Sequence, residues 1–419
     1  MKIIADLHIH SRYARACSKA LTVENIDACC EKKGVNVVAT GDFTHPEWFR
    51  ELKEGLEERE KGLYVYKKNS NPKTRFLCSA EIACIYSKGG RVRRLHIIVL
   101  APSLEVVAEI NEQLGRIGNL SADGRPILGL DAKRLAEIVW KIDANCFVIP
   151  AHAWTPWFAI FGSKSGFDSL QECYEEHADN IHAIETGLSS DPPMNWRVSS
   201  LDRITLVSNS DAHSLPNIGR EANVFDIRRE KLSYSEIVDI ISTGDNSRFV
   251  STIEFFPEEG MYHWDGHRDC GVSFAPEETK KIGTICPKCK RPLTIGVDYR
   301  VNELADRPFG YAPKGRIPFV KLVELDKIIA EAMNIKSRAS KKVRAQYDAI
   351  LQNNETELDV LMSVPEGQLR TLCDERIADG ILRVRRGEVF VSPGFDGQYG
   401  KIQIFSDEEK EKKQRALFS

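Results

Sequence analysis

Five hydrophobic runs, spread over more than 200 residues, end in side chains that bind metal ions. They are Ile3-Ile4-Ala5-Asp6-Leu7-His8-Ile9-His10, Val37-Val38-Ala39-Thr40-Gly41-Asp42, Leu95-His96, Val148-Ile149-Pro150-Ala151-His152 and Leu206-Val207-Ser208-Asn209-Ser210-Asp211-Ala212-His213. Glu81 joins them in Phe76-Leu77-Cys78-Ser79-Ala80-Glu81. Loops that follow parallel strands converge on one face of a β/α barrel. In such a fold, ligands this far apart in sequence meet at one polynuclear centre.

Residues 1–228 alternate in the way that fold needs. Strand candidates lie at 2–5, 35–40, 74–82, 94–100, 146–150, 182–185 and 204–208. Helix candidates lie at 22–33, 46–61, 104–116, 131–142 and 168–179, with Thr22 and Asp168 placed as helix starts. The alternation predicts a parallel α/β architecture, a barrel one strand short of the eight-stranded form.

Composition sets the remaining bounds. At 419 residues, 42% hydrophobic and 28% charged, the chain has room for two or three domains and a large core. No apolar run reaches the roughly 20 residues of a membrane helix. The chain starts in a strand-like run without the basic start and apolar stretch of a signal peptide, so a cytoplasmic location is expected. Eleven cysteines without framework spacing read as free thiols. The net charge of −3 divides unevenly: residues 280–346 hold 16 Lys/Arg against 6 Asp/Glu, leaving −13 on the rest. A basic stretch beside an acidic, metal-ready domain suits a polyanionic ligand held by one part and processed by the other. A solvated Lys-rich surface explains the charge equally well.

After a connector at 229–262 with one helix near 234–243, the texture changes. His267-Arg268-Asp269-Cys270 is followed by Ile285-Cys286-Pro287-Lys288-Cys289-Lys290. A His-x-x-Cys and a Cys-x-x-Cys fifteen residues on fit a tetrahedral structural zinc within a module at 263–300. His263 rivals His267 as fourth ligand, and a redox Cys-x-x-Cys is the other reading. Residues 301–419 read as basic and mostly helical, with helices at 320–333, 336–353 and 357–381. Leu382-Arg383-Val384-Arg385 and Glu388-Val389-Phe390-Val391, joined by Arg386-Gly387, alternate like a hairpin and suggest a winged-helix-like module. The charge-rich tail at 406–415 is expected to fray.

The metal reading rests on pairs. In Asp6-x-His8-x-His10, both imidazoles leave one side of a strand, since side chains alternate with period two. They can bind one metal or two adjacent ones, and neutral imidazole suits zinc, iron or manganese. Asp211-x-His213 repeats the spacing, and the two oxygens of Glu81 can bridge two ions. A lone histidine such as His177 or His182 reads instead as an ordinary residue with a hydrogen-bond partner.

These segments resemble the PHP (polymerase and histidinol phosphatase) superfamily over about the first 215 residues. The resemblance implies a distorted seven-stranded β/α barrel and a centre of two or three ions. Its ligands are His8, His10, Asp42, Glu81, His96, His152, Asp211 and His213. Zinc is expected, with manganese, magnesium or iron as alternatives, besides one structural zinc. Two departures stand out. Thr40-Gly41-Asp42 replaces the Thr-Asp-His of many members, and no further histidine follows Ser11-Arg12-Tyr13. Asp211, His213, Glu81 and Arg12 are the residues expected to act in catalysis, with Arg12 able to hold a phosphate.

Nearly end to end, the chain is similar to the endonuclease Q family. The similarity lies in Asp6-Leu7-His8-Ile9-His10-Ser11-Arg12-Tyr13, in Ala151-His152-Ala153-Trp154-Thr155-Pro156-Trp157-Phe158 and in Cys286-Pro287-x-Cys289 leading to Leu293-Thr294-x-Gly296-Val297. It implies a repair endonuclease that cuts double-stranded DNA 5′ to uracil, hypoxanthine, xanthine or an abasic site. Such an enzyme needs a pocket for an extruded base. The aromatic stretch 154–167, with Trp154, Trp157, Phe158, Phe161 and Gly162, is the expected pocket. An ordinary aromatic cluster under a long loop is the rival reading. Two other functions compete: a phosphomonoesterase for a small metabolite, and a DNA-binding protein without enzymatic activity. No membrane partner is expected.

Overall fold

The computed structural model describes residues 1–353 and 355–410 of the chain. All seven strand candidates form strands. Val37–Ala39 lies parallel between Lys2–Asp6 and Arg75–Leu77. Ser79–Lys88, Arg91–Leu100 and Phe147–Pro150 are successive neighbours in a second sheet, and Ala183–Glu185 pairs in parallel with Thr205–Val207. Single bonds tie these sheets together. Ala153 N donates to Glu185 O (2.9 Å), and His10 N donates to Ala212 O (3.1 Å) beside an Ile9–Ala212 parallel bridge.

Both faces of these strands are buried, which is why they read as unbroken apolar runs. Ile3, Ala5, Leu7, Val37, Ile98, Ile149 and Ala183 share one apolar cluster. Their alternates Ile4, Val38, Ile97, Val148 and Ile184 join another, which holds Ile26, Val107, Ile110, Leu135 and Val139 from the helices.

Strand direction departs from expectation. Arg91–Leu100 runs antiparallel to both its neighbours. The cause is the Gly89-Gly90 turn, where φ is 62° and 74°. Two consecutive left-handed residues make the two-residue turn that folds a strand straight back. His96 and Glu81 therefore sit within ten-residue strands rather than at strand ends. The helix expected at 46–61 stops at Gly55, because Lys61-Gly62 (φ 74°) turns 56–60 into a strand paired with Leu63–Tyr66.

The large sheet continues past residue 228. Phe249–Glu254 pairs with Ala222–Asp226, and Phe319–Lys321 adds as a parallel edge. Buried Lys33, at the end of the helix Val23–Lys33, pairs with Glu357 at 2.8 Å, and Lys321 pairs with Asp191 at 2.8 Å, so the C-terminal region is tied to the helices and loops around the strands. That region is helical: Leu325–Ala332, Lys341–Ile350, Glu357–Met362, Glu366–Leu372 and Glu375–Arg386. Leu382–Arg385 is thus the end of a helix and not a strand. Ile377, Ala378, Ile381, Leu382 and Val384 are buried at helical spacing, and Gly387 (φ 70°) caps them. The hairpin forms later, between Phe390–Ser392 and Lys401–Gln403. Of the tail expected to fray, 411–415 lies outside the described residues. The part before it is docked, with Glu409 on Arg383 (2.7 Å) and Lys410 on Glu331 (2.9 Å). All eleven cysteines are free, and no helix among the described residues is long and apolar enough to cross a membrane.

Candidate metal centre

The chain after Lys2–Asp6 is stitched to the chain after Thr205–Val207. Asp6 accepts from Ser210 N (3.0 Å) and Gly219 N (2.9 Å), and Leu7 N donates to Asn209 Oδ1 (2.9 Å). This brings His8, His10 and Asp211 together. Each imidazole has a carboxylate behind it. His8 Nδ1 lies 3.0 Å from Glu185 Oε1, and His10 Nδ1 lies 2.8 Å from Asp42 Oδ1. With Nδ1 engaged, both Nε2 atoms point forward, buried and without a hydrogen-bond partner. Asp211 Oδ1 is likewise unpartnered, 3.1 Å from His10 Nε2 and 3.7 Å from His8 Nε2. Carboxylates of this kind fix the tautomer and aim of metal-binding imidazoles.

Glu81 spans two groups of donors. Its Oε1 lies 2.7 Å from His96 Nδ1, 3.1 Å from His152 Nε2 and 3.8 Å from His8 Nε2. Its Oε2 lies 3.4 Å from His10 Nε2. One group is therefore His8, His10, Glu81 and Asp211, and the other Glu81, His96 and His152; within each, one atom per residue falls within 4.8 Å of the others. Corners of a coordination shell with bonds of about 2.1 Å stand roughly 3.4 Å apart, so the set fits metal ions. Backbone strain supports the aim. Asp42 (φ 45°), His152 (φ 27°) and Asp211 (φ 46°) are left-handed residues without a glycine's freedom. Such geometry costs about 1–3 kcal/mol each and persists where the surroundings enforce it.

The field matches the donors. Burial pushes the His8 and His10 imidazoles down, but Glu185 and Glu81 around His8, and Asp42 and Asp211 around His10, outweigh it and hold both well above the usual range. Burial raises the Glu81 carboxyl, yet His96, Arg125 and His8 bring it well below its ordinary value. His96 goes the other way: burial, helped by His152 and Arg125, lowers it to about 4.

Several expected site residues stand elsewhere. Asp42 is behind His10: one oxygen takes the imidazole and the other accepts Ser11 N (2.6 Å), so neither faces the Nε2 atoms. His213 lies outside both donor groups, with its ring 4.7 Å from that of His10 and its Nδ1 donating to Asp211 O (2.8 Å). Arg12 and the Tyr13 hydroxyl both donate to Glu51, which neutralises the guanidinium. Trp154 and Phe161 are 1% and 2% exposed; their rings pack 4.8 Å apart, and Trp154 Nε1 donates to Asn195. They are core, closed to a stacked base. A Cβ at Gly162 would lie 2.5 Å from Thr155 O, so that glycine serves the loop's own turn. Trp157 and Phe158 are half-buried, and the Phe158 ring lies 4.6 Å from that of His96.

Two neighbours of the centre escaped sequence reasoning as parts of it. Glu185 also accepts His152 N (2.8 Å) and Asn209 Nδ2 (2.9 Å). Its place at the end of a buried strand was a usable signal. Arg125, whose Nη1 donates to Glu81 Oε2 (3.0 Å), lies in a loop without a motif.

In the downstream module, His267, Cys270, Cys286 and Cys289 offer donor atoms within 4.8 Å of one another, with Cys289 Sγ 3.8 Å from His267 Nε2. That is the edge of a tetrahedron with Zn–S bonds of about 2.3 Å. His263 is buried outside this group, and burial lowers its imidazole while Asp298 opposes that. The basic stretch is partly spent inside the protein. Arg300 donates to Phe161 O (3.0 Å), Arg307 to Asp202, and Arg338 to Glu324 (3.0 Å). Lys290, Lys314, Lys341 and Lys342 remain exposed.

Residues 324–388 match the family described as the MJ0043 C-terminal domain. The chain is 30% identical over 62% of its length to the uncharacterised protein MJ0043 of Methanocaldococcus jannaschii, but spans only 31% of that protein. It is 28% identical to the uncharacterised protein YqxK of Bacillus subtilis, over 96% of this chain and 99% of that one. It superposes on the lesion-specific endonuclease PfuEndoQ of Pyrococcus furiosus with a TM-score of 0.84, 29% identity and coverage of 98% and 99%. Against endonuclease Q in complex with a 27-mer duplex bearing an abasic lesion at the active site, the TM-score is 0.85, with 30% identity and coverage of 97% and 98%. Fold and donor set together define a metal-dependent hydrolase of the PHP superfamily. Within it, the chain belongs to the endonuclease Q family.

Proposed function

We propose that this chain is a DNA repair endonuclease that hydrolyses the phosphodiester 5′ to uracil, hypoxanthine, xanthine or an abasic site in double-stranded DNA. One observation carries the reading. The chain superposes end to end on an endonuclease Q holding an abasic duplex, and His8 Nε2, His10 Nε2 and Asp211 Oδ1 converge in it without partners. On this reading the seven strands form the distorted barrel. Residues 1–228 are its phosphoesterase unit, 229–262 a connector, 263–300 a zinc module and 301–419 a region that grips DNA. A cytoplasmic location accords with eleven free thiols.

His8, His10, Glu81 and Asp211 hold one part of a centre of two or three ions; Glu81, His96 and His152 hold the other. Zinc, or manganese, magnesium or iron, supplies Lewis acidity there, lowering the pKa of water and neutralising phosphate oxygens. The chain's own residues do the rest. Glu185 and Asp42 keep the imidazoles in register, and Glu81 joins the two donor groups. His213 borders them through its free Nε2, and Trp157 and Phe158 offer aromatic surface beside His96. His267, Cys270, Cys286 and Cys289 hold a structural zinc, and the exposed lysines meet the phosphate backbone. The test is a set of matched duplexes with uracil, hypoxanthine, an abasic site or no lesion, with the cut mapped. A nick 5′ to each lesion supports the reading, and equal cutting of the undamaged duplex sinks it.

A further inference from the structure

Among the described residues, one cation, Arg125, reaches the donor cluster, and three separate anchors place it. Arg125 lies in the segment 116–126, between the helix Leu104–Gly115 and the strand Ile127–Leu128. On one side, Gly124 N donates to Tyr13 O (3.1 Å) and Thr44 Oγ1 donates to Gly124 O (3.3 Å). A Cβ at Gly124 would stand 2.5 Å from Asp42 Oδ2, on the carboxylate that orients His10, so the loop is pressed against the support of the site itself. Asp123 Oδ1 accepts Arg125 N (3.1 Å) and Arg15 N (3.2 Å). On the other side, Pro126 O accepts Ala83 N (3.0 Å), two residues beyond Glu81.

From this mount, the Arg125 side chain reaches Glu81 with Nη1 and is 25% exposed. Its Nε and Nη2 have no protein partner among the described residues. Arg12 contrasts with it, since its charge is met by Glu51. Arg15 is 84% exposed and 3.8 Å from Asp123, with nothing holding it toward the centre. A cation beside ion-binding donors is repelled by the ions it neighbours, unless an anion lies between them. A planar guanidinium with one arm held on a carboxylate offers the other to a phosphate oxygen.

We infer that Arg125, rather than Arg12, grips a non-bridging oxygen of the scissile phosphate while Nη1 stays on Glu81. The inference rests on the phosphodiesterase reading above. Its test uses the full chain, reconstituted with metal, as Arg125→Ala and Arg125→Lys. Titration calorimetry with inorganic phosphate shows an affinity drop of about tenfold or more for Arg125→Ala and a smaller drop for Arg125→Lys. Lesion duplexes then carry a phosphorothioate of either configuration at the cut. Arg125→Ala slows the all-oxygen substrate about 100-fold, and the rate ratio between the two configurations shrinks toward one. Metal content by mass spectrometry stays at the wild-type level.

Unchanged phosphate affinity in Arg125→Ala overturns the inference. So does a slowing that is equal for both configurations and comes with metal loss, because that marks a prop for Glu81 alone. A wild-type chain that cuts no lesion duplex, yet loses phosphate on Arg125→Ala, retains the grip and removes the DNA repair reading instead.

Discussion

The two candidate metal sites are built in opposite ways. At the strand centre, His8, His10 and Glu81 are fully buried among strands whose apolar faces fill two clusters. Their geometry is set by protein partners before any ion is considered. In the module at 263–300, Cys289 is exposed, and the local apolar cluster has three buried members, Val272, Cys286 and Leu293. A core that small does not offset the entropy of ordering its chain, and a tetrahedral ion is what closes such folds. The first scaffold holds its ligands for chemistry. In the second, the ligands hold the scaffold.

Substitutions should split along this line. The largest effect is expected for Asp211→Asn, which removes one donor oxygen from the centre. Cleavage of a lesion duplex should fall below detection, while melting temperature and duplex affinity stay near wild type. A variant that cuts normally removes Asp211 from the metal set. Next comes Cys286→Ser, or chelation. Amide exchange should become fast across residues 265–295, and the strands from residue 2 to 207 should keep their protection. Slow exchange in the chelated module would break the comparison, since its fold would then stand without an ion. Third is Asp42→Asn, which weakens the hold on His10. Metal affinity of the centre should drop about 10- to 100-fold, read by competition with a chelating dye, with the fold intact. A drop as complete as that of a lost donor would instead make Asp42 a ligand.

How much of this was legible follows the same division. The seven strands were readable because burial on both faces writes them as unbroken apolar runs. The gathering of His267, Cys270, Cys286 and Cys289 was readable because four donors must lie close in sequence when no larger scaffold gathers them. His8 and His10 were legible as a period-two pair closing an apolar run, in a motif shared with a known superfamily. Asp42 was misplaced because a carboxylate at a strand end looks the same whether it faces an ion or the back of an imidazole. Arg125 left no pattern, since its position comes from Gly124 and Pro126 contacts with segments over 40 residues distant. Trp154 and Phe161 have the composition of a base pocket and of a core alike, and only burial separates them. The direction of Arg91–Leu100 was in fact written, in Gly89-Gly90, but the alternation of strands and helices around it argued for a parallel crossover.

The smallest expected effect tests how much strain the strand scaffold carries beneath its site. Glu254 and Glu221 are both buried and repel one another, and Glu254 bonds Thr186, the residue after Glu185. Glu254 accepts from Thr186 Oγ1 (3.1 Å), and Glu221 Oε1 accepts from Phe255 N (3.1 Å), while Glu221 Oε2 has no partner. Burial pushes both carboxyls up, Glu254 from 4.5 to about 8, with nearby Asp191 adding to burial and Thr252, Thr186 and Lys321 opposing it. Between those two values the folded chain binds a proton that the unfolded chain has released. Stability must then decline as pH rises from 4.5 toward about 8, the reverse of a carboxylate that gains a cation on folding. Glu254→Gln stays neutral throughout, so the difference in melting temperature between variant and wild type should widen in the variant's favour across that range. A difference that stays flat would mean the pair sheds its proton freely. The scaffold would then be bearing two buried carboxylate charges beneath the candidate metal centre at no cost to its stability.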